Sequence, residues 1–281
     1  MIEIFVQVGV AFIVGLLIGR WFTSPSAARH SKSVHGYDLF EQEYWKGGLG
    51  KEENKSCGFG EEEIFEIIGR YVWFDSVTLE ICRECCYCER RTVRGVEYNN
   101  VWWWTYVFGH TIPTREAIGR IRERVGGKTR ALSVGAGKGL WEYLLAKGGW
   151  DVICTDLRLN EMMFKKMEIV GKSDVFEQLI GRGVISNVGD IDVLIIIWSA
   201  PDVNEFGYFD VHNGYDERAL KRFVGKYVVF VCDKTNDPVI GTVGAKAVLA
   251  DKFKIIDSVD LPHCSGYLPV LKIYERVEPI I

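Results

Sequence analysis

The residues of this chain whose types and spacing could do chemistry lie in the stretch ALSVGAGKGLWEYLLAKGGWDVICTD, residues 131–156. Gly135, Gly137 and Gly139 alternate in a short turn. Glycine permits positive φ and has no Cβ, so a ligand can approach the backbone and the helix N-terminus that follows. Asp156 ends the next apolar segment, where a carboxylate is suited to accept hydrogen bonds from both hydroxyls of a ribose. The spacing therefore predicts a site for a ribose-containing ligand.

A strand–helix–strand unit must hold this turn in place. The apolar run 131–134 predicts a buried strand, residues 140–147 predict a helix, and the segment ending at Asp156 predicts a second strand. The pattern continues with a helix at 160–170, a weak third strand at 184–186, a buried strand at 191–198, a loop at 208–213, a helix at 217–224, a strand at 227–233, a helix at 244–251 and an antiparallel pair at 254–259 and 270–277. This alternation predicts an α/β domain with a doubly wound, mostly parallel sheet and helices on both faces.

Two other phosphate-binding motifs do not fit the turn. The dinucleotide fingerprint G-x-G-x-x-G requires glycine or alanine where this chain has Leu140. A P-loop requires glycine five residues before Gly127, and Arg122 occupies that position. The remaining pattern, G-x-G-x-G with an acidic end to the second strand, is similar to the S-adenosylmethionine (SAM) motif of class I methyltransferases. An ordinary tight turn beside a surface aspartate is the alternative.

The segment 106–277 resembles a class I SAM-dependent methyltransferase domain. It is most similar to a group of methyltransferase-like proteins in which an aromatic-rich I-P-T-P-E-A-L segment precedes the glycine motif; here FGHTIPTREAI, residues 108–118, takes that place. The resemblance implies a Rossmann-like sheet of seven strands that ends in a hairpin, with SAM as cofactor. It also implies that this segment lies across the cofactor pocket, where His110 and Pro113 contact SAM. His110 could equally be a packed histidine with no chemical role.

Ligands of such sheets bind outside the carboxyl ends of the central strands. Besides His110 and Pro113, we therefore expect the cofactor to be bound by Gly135, Ala136, Gly137, Gly139, Asp156, Asn187, Asp190 and Trp198. Asn187 and Asp190 are the candidates for binding the adenine amine. The alternative is that Asn-Val-Gly-Asp forms an ordinary turn.

In the resembled family, the segment after the fourth strand meets the methyl acceptor. Here it reads WSAPD, residues 198–202, where amino-group methyltransferases have Asn/Asp-Pro-Pro-aromatic and the resembled group often has Trp-Pro-Pro-Tyr. This departure argues against nucleobase or glutamine methylation and leaves oxygen, sulfur and other nitrogen acceptors open. Asp202 and His212 lie on loops that could reach the acceptor, either as the catalytic base or as surface residues.

These features predict a SAM-dependent methyltransferase with an unidentified acceptor. The alternative is an inactive, membrane-tethered binding or scaffold protein, which the altered WSAPD segment favours and the intact glycines oppose. A nucleotide-sugar or NAD enzyme is disfavoured by Leu140. The net charge of −4 argues against general nucleic-acid binding. The basic residues of 115–130 follow helical spacing and predict a solvated helix face.

The N-terminus predicts a membrane anchor over residues 1–22. Its apolar run, residues 4–22, is just long enough to span a bilayer, and a buried soluble helix is the alternative. The flanking basic residues are Arg20, Arg29 and Lys32. By the positive-inside rule they predict a single-pass protein with its N-terminus outside and its catalytic domain in the cytosol. Gly15 and Gly19 form a G-x-x-x-G pair, compatible with a homodimer through the anchor or with simple flexibility in lipid.

The segments between the anchor and the main domain carry most of the cysteines. Residues 23–60 predict a linker, 61–105 an N-terminal extension that starts with a helix, and 106–281 the methyltransferase-like domain. A cytosolic location disfavours disulfides, so the cysteine cluster of the extension is either a metal site or a set of unligated thiols. A structural zinc ion would be held by Cys57, Cys82, Cys85 and Cys88.

Overall fold

The computed structural model describes residues 59–72, 76–81, 91–93, 96–98, 108–157, 164–199, 202–203, 209–210, 214–235, 240–263 and 267–277. The predicted anchor, nearly all of the predicted linker, and Cys57, Cys82, Cys85 and Cys88 lie outside these ranges. Within them, no helix is long and apolar enough to cross a membrane. The same described residues contain no group of three or more His, Cys, Asp or Glu side chains that could hold a metal ion.

Among the described residues, seven strands form one sheet, and four short strands form two separate hairpins. The strands are β1 (Arg91–Val93), β2 (Val96–Tyr98), β3 (Arg130–Val134), β4 (Asp151–Asp156), β5 (Met167–Ile169), β6 (Val193–Ile197), β7 (Asp202–Val203), β8 (Phe209–Asp210), β9 (Tyr227–Asp233), β10 (Phe253–Asp260) and β11 (Pro269–Arg276). The order in the large sheet is β10-β11-β9-β6-β3-β4-β5, and β1-β2 and β7-β8 pair separately. All pairs of the large sheet are parallel except the two made by β11.

The order of the strands creates a crevice between β3 and β6. The chain runs outward from β3 through β4 to β5, then returns to β6 on the other side of β3 and continues to β9. At this reversal, the connections after β3 and β6 leave in opposite directions, which is where doubly wound sheets bind ligands. The residues following these two strands, Gly135 and Trp198, therefore stand at the edge where a ligand is expected.

Helices cover both faces of the sheet. They are α1 (Glu61–Tyr71), α2 (Arg115–Val125), α3 (Leu140–Lys147), α4 (Val175–Gly181), α5 (Tyr215–Arg222) and α6 (Val243–Lys252). The strands β6 and β9 read VLIII and YVVFVCD, continuous apolar runs suited to strands buried on both faces. Leu194, Val228 and Phe230 form one core with residues of α4, α5 and α6, such as Phe176 and Leu220.

The opposite face carries α1, α2 and α3, where ion pairs join α1 to α2 and a hydrogen bond joins α2 to α3. Arg122 contacts Glu61 of α1 at 2.8 Å and donates to the Leu144 carbonyl of α3 at 2.5 Å. Arg115 pairs with Glu62 at 2.7 Å and Arg124 with Asp257 of β10 at 2.7 Å. The arginines of α2 therefore form ion pairs within the chain, on a helix surface that is partly exposed to solvent.

The predicted elements agree with the structure around the glycine turn and from β6 onward, and they fail between β4 and β6. The helix predicted at 140–147 and the strand predicted at 227–233 have the observed bounds. The helix predicted at 160–170 is wrong, because residues 167–169 pair with β4 as the third strand; residues 184–186 form no strand. The intervening helix α4 was missed although Asp174 caps it, accepting from the amides of Phe176 and Glu177.

Candidate active site

The glycine turn folds back over the neighbouring strand. Gly135, Gly137 and Gly139 have φ of 71°, 59° and 71°, a region that residues with a Cβ rarely adopt. The amides of Gly135 and Ala136 both donate to the carbonyl of Thr155 in β4, at 2.9 and 3.0 Å. Gly139 then caps α3 in the left-handed conformation. The expected strand–turn–helix corner is therefore present.

Asp156 is attached directly to this turn. Its carboxylate accepts a hydrogen bond from the Gly137 amide at 2.9 Å. A Cβ added to Gly137 would meet nothing within 4 Å, so it would project into open space. A Cβ on Gly135 would lie 2.5 Å from the hydroxyl oxygen of Tyr215 on α5. The turn is thus covered on one side by Tyr215 and open at Gly137.

Two cavities adjoin the turn. The larger measures about 250 Å³ and is lined by His110, Val134, Gly135, Gly137, Asp156, Leu157, Val170, Gly171, Lys172, Ser173, Val175, Trp198, Tyr215, Arg218 and Ala219. The smaller measures about 140 Å³ and is lined by Phe108, Gly109, His110, Thr111, Gly135, Ala136, Gly137, Lys138, Gly139, Leu140, Trp141, Ile197 and Trp198. Taken together, they match the size of a small-molecule site, about 300–1,000 Å³. One faces Asp156 and the other faces the N-terminus of α3.

Trp198 is held in a strained backbone conformation at the end of β6. Its φ of 57° is in the left-handed region, which costs a residue with a Cβ about 1–3 kcal/mol. Its amide donates to the carbonyl of Val231 at 3.0 Å, and its ring packs edge-to-face with Tyr267 at 5.8 Å between centroids. The next residue, Ser199, donates to the buried Asp216 at 2.7 Å. These contacts hold Trp198 in place where it lines both cavities.

Asp216 joins three segments of the chain close to Trp198. The carboxylate is fully buried and accepts from Ser199 Oγ, from the Thr242 amide and hydroxyl, each at 2.9 Å, and from the Glu217 amide at 2.7 Å. Four donors compensate a buried carboxylate for its lost hydration. Asp216 therefore ties the residues after β6 to the N-termini of α5 and α6.

His110 lines both cavities. Its side chain is exposed by surface area, yet the protein around it removes enough solvent to disfavour the charged imidazole. This desolvation, followed by the positive charge of Lys138, lowers the pKa of His110 below its ordinary value of 6.5. A neutral imidazole can accept a proton or a hydrogen bond.

A buried carboxyl group lies behind the turn. Glu142, in the first turn of α3, is 1% exposed and accepts a hydrogen bond from Ser133 Oγ of β3 at 2.6 Å. Burial raises its pKa from 4.5 to about 7, an effect that the hydrogen bond from Ser133 only partly opposes. Burial, and then the charge of Glu142, raise the pKa of the Cys154 thiol well above 9.0. Cys154 and Cys232 are both buried, as expected of small apolar side chains.

The structure brings most of the predicted cofactor residues together. His110, Gly135, Ala136, Gly137, Gly139, Asp156 and Trp198 line one or both cavities. Pro113 does not line either cavity; it is buried just before Thr114, whose side chain caps α2. The position of Pro113 in the sequence therefore indicated the start of α2 and not a contact with the cofactor.

Asn187 and Asp190 require a correction. They belong to a 3-10 turn, Val188–Asp190 with its cap, that precedes β6. Since β6 runs parallel to β3, this turn lies at the opposite edge of the sheet from the glycine turn. Asp190 accepts from the amides of Ser186 and Asn187, which lowers its pKa, and Asn187 accepts from Gly189. The pair forms a self-contained turn and does not contribute to these cavities.

The predicted acceptor-side residues are largely untested. Asp202 pairs through its backbone with Asp210 in the β7–β8 hairpin, and His212 lies outside the described residues. Sequence reasoning missed Tyr215, Lys172 and Arg218, which line the larger cavity. The helix was predicted to begin at residue 217, two residues late, so Tyr215 was assigned to no element. No local pattern would have indicated that this tyrosine covers Gly135.

The strand order and the glycine turn define the fold. A seven-stranded, mainly parallel Rossmann-like sheet that ends in a hairpin, with a glycine turn after β3 and an acid at the end of β4, is the methyltransferase fold that the resemblance implied. No protein-family profile and no curated protein matches the sequence.

Several solved structures are similar to this chain. The N-methyltransferase NodS from Bradyrhizobium japonicum WM9, in complex with S-adenosyl-L-homocysteine (SAH), is 10% identical, with 58% of this chain and 85% of NodS covered and a TM-score of 0.40. A putative SAM-dependent methyltransferase from Streptococcus mutans is 17% identical, with 66% and 55% covered and a TM-score of 0.40. A putative class I methyltransferase from Listeria monocytogenes is 17% identical, with 61% and 64% covered and a TM-score of 0.38.

Proposed function

We propose that this chain is a SAM-dependent methyltransferase. The observation that carries the proposal is the turn itself: three glycines at positive φ, the Gly137 amide held by Asp156, and a cavity on either side. The absent Cβ at Gly137 leaves room for a ligand against the backbone. These residues fit a ligand that has a ribose on one side and a charged amino-acid end on the other.

The chain's own residues would bind and orient SAM in two parts. Asp156 has several acceptor positions, so it can bind Gly137 and ribose hydroxyls together. Leu157, Val170 and Val175 give the larger cavity apolar walls suited to an adenine ring. The N-terminus of α3, at Gly139 and Leu140, borders the smaller cavity and favours a carboxylate.

Methyl transfer requires alignment more than acid–base chemistry. SAM supplies an electrophilic methyl group on a sulfonium, and the protein must hold the acceptor in line with it. Trp198 lines both cavities directly after β6, so its indole is the side chain that we expect to meet the acceptor. The WSAPD segment leaves oxygen, sulfur and nitrogen acceptors other than nucleobases or glutamine as the proposed range.

Calorimetric titration of the full chain with SAM and SAH tests this function. We expect micromolar binding in the wild type and its loss in Gly137→Arg and Asp156→Ala. Gly149→Arg is the control for a bulky residue at positive φ, since Gly149 also has open space around it but lies beyond the far end of α3. Asp151→Ala, at the opposite end of β4, is the control for loss of a carboxylate.

The outcomes separate the candidate functions. Binding that is lost only in the two site variants supports the SAM pocket and justifies an acceptor screen. Binding without turnover on any acceptor class would favour the inactive scaffold alternative. A folded wild type that binds neither ligand would contradict the proposal.

We further propose that residues 4–22 anchor the protein in a membrane, with the catalytic domain in the cytosol and the acceptor at or near the bilayer. The support is the length of the apolar run and the basic residues after it. Alkaline extraction of membranes from cells expressing the full chain tests the anchor. Retention in the pellet supports it, whereas release of the full chain into the supernatant would contradict it.

A further inference from the structure

The two cavities share four residues: His110, Gly135, Gly137 and Trp198. Two of them are glycines without side chains. His110 and Trp198 are therefore the two side chains, among the described residues, that reach the junction of the cavities. Whatever part of a ligand crosses from one cavity to the other must pass between or beside them.

This inference rests on the proposed function. In SAM, a single sulfur atom joins the adenosine half to the amino-acid half. With the ribose at Asp156 and the carboxylate at the N-terminus of α3, that sulfur belongs at the junction. We propose that His110 faces the sulfonium there and is a specificity-determining residue, whose neutral form permits SAM binding and whose protonated form favours the uncharged thioether SAH.

The charges around the junction make this discrimination possible. The described charged and titratable groups that line the same cavities are Lys138 on the turn, Asp156 after β4, Lys172 after β5, and Tyr215 and Arg218 on α5. Cations outnumber the one carboxylate, and Lys138 already acts on His110. A further positive charge on the imidazole would repel a sulfonium a few ångströms away, because the site is partly desolvated.

The physical state of His110 agrees with this role. Desolvation and Lys138 lower its pKa, so the imidazole is neutral at neutral pH. A neutral ring adds no positive charge beside the sulfonium, and Trp198 is the other side chain that both cavities share. Acidification then adds one charge beside the sulfur without changing the shape of the site.

The test is calorimetric titration of the full chain with SAM and with SAH at about pH 7.5 and about pH 5. The two ligands differ only in the methyl group and charge on sulfur, so the ratio of their dissociation constants reports the charge at the junction. We expect the SAM-to-SAH ratio to rise about tenfold on acidification in the wild type. In His110→Gln it should stay constant. In His110→Lys, a permanent cation, it should be raised at both pH values.

His263→Gln is the matched control, because His263 contacts the Thr78 carbonyl at 3.1 Å and lines neither cavity. It should keep the wild-type pH dependence. A ratio that does not change with pH in the wild type, or a change that persists in His110→Gln, would overturn the inference while leaving the proposed function intact. If neither ligand binds at either pH, the proposed function fails, and the inference fails with it.

Discussion

Replacement of Glu142 by glutamine should make the stability of the fold less dependent on pH. Between pH 4.5 and about 7, the folded chain retains a proton on Glu142 that the unfolded chain has released. Raising the pH through this window therefore lowers the free energy of unfolding. A pKa raised from 4.5 to about 7 corresponds to about 3 kcal/mol when both states are ionised, at about 1.4 kcal/mol per pKa unit. Of this, about 2.5 kcal/mol falls between about pH 5 and pH 8.

Glutamine retains an oxygen that can accept from Ser133 Oγ and never ionises. Urea unfolding of the full chain should be measured at about pH 5 and about pH 8. Between these values, the free energy of unfolding of Glu142→Gln should rise by about 2.5 kcal/mol relative to that of the wild type. Glu66→Gln is the control, since Glu66 is an exposed carboxyl on α1. Parallel pH profiles for Glu142→Gln and the wild type would refute the reasoning, because they would mean that the buried carboxyl ionises at an ordinary pH.

Three further substitutions have defined consequences. Gly135→Ala should weaken SAH binding and destabilise the fold, since its Cβ would lie 2.5 Å from the Tyr215 hydroxyl at a φ of 71°. In a double-mutant cycle, Tyr215→Ala should recover the part of the lost stability that comes from the steric clash, but not the part that comes from the backbone strain. Fully additive losses of stability would contradict the contact. Asp216→Ala should cost about 3 kcal/mol in urea unfolding because four donors lose their buried acceptor, and a loss under about 1 kcal/mol would contradict that. Arg122→Met should increase proteolysis near α1, since it removes the 2.8 Å pair with Glu61; an unchanged digestion pattern would show that apolar burial alone holds α1.

The local part of the site could be read from the sequence because its determinants are local. Alternating glycines permit positive φ without a steric cost, and the apolar runs on either side specify a strand and a helix by their length and period. The bounds of α3 and β9 follow from such signals. Asp156 could be placed beside the turn because two parallel strands joined by one helix end at the same edge.

The rest depended on contacts between residues that are distant in sequence. Asn187 and Asp190 have the right side chains for a ligand, but only the parallel pairing of β6 with β3 put them at the wrong edge. The third strand is three residues long at the margin of the sheet, where pairing with β4 outweighed the local helical pattern.

What the sequence by itself determined is the ligand-binding corner: the glycine turn, the helix behind it and the acid at the end of the next strand. Only the tertiary structure decided what surrounds that corner. It placed Tyr215 over Gly135, His110 and Trp198 at the junction of two cavities, and Glu142 in a buried site against Ser133. Backbone conformation responds to neighbours along the chain, whereas burial, pKa and cavity shape depend on which strands and helices meet in space.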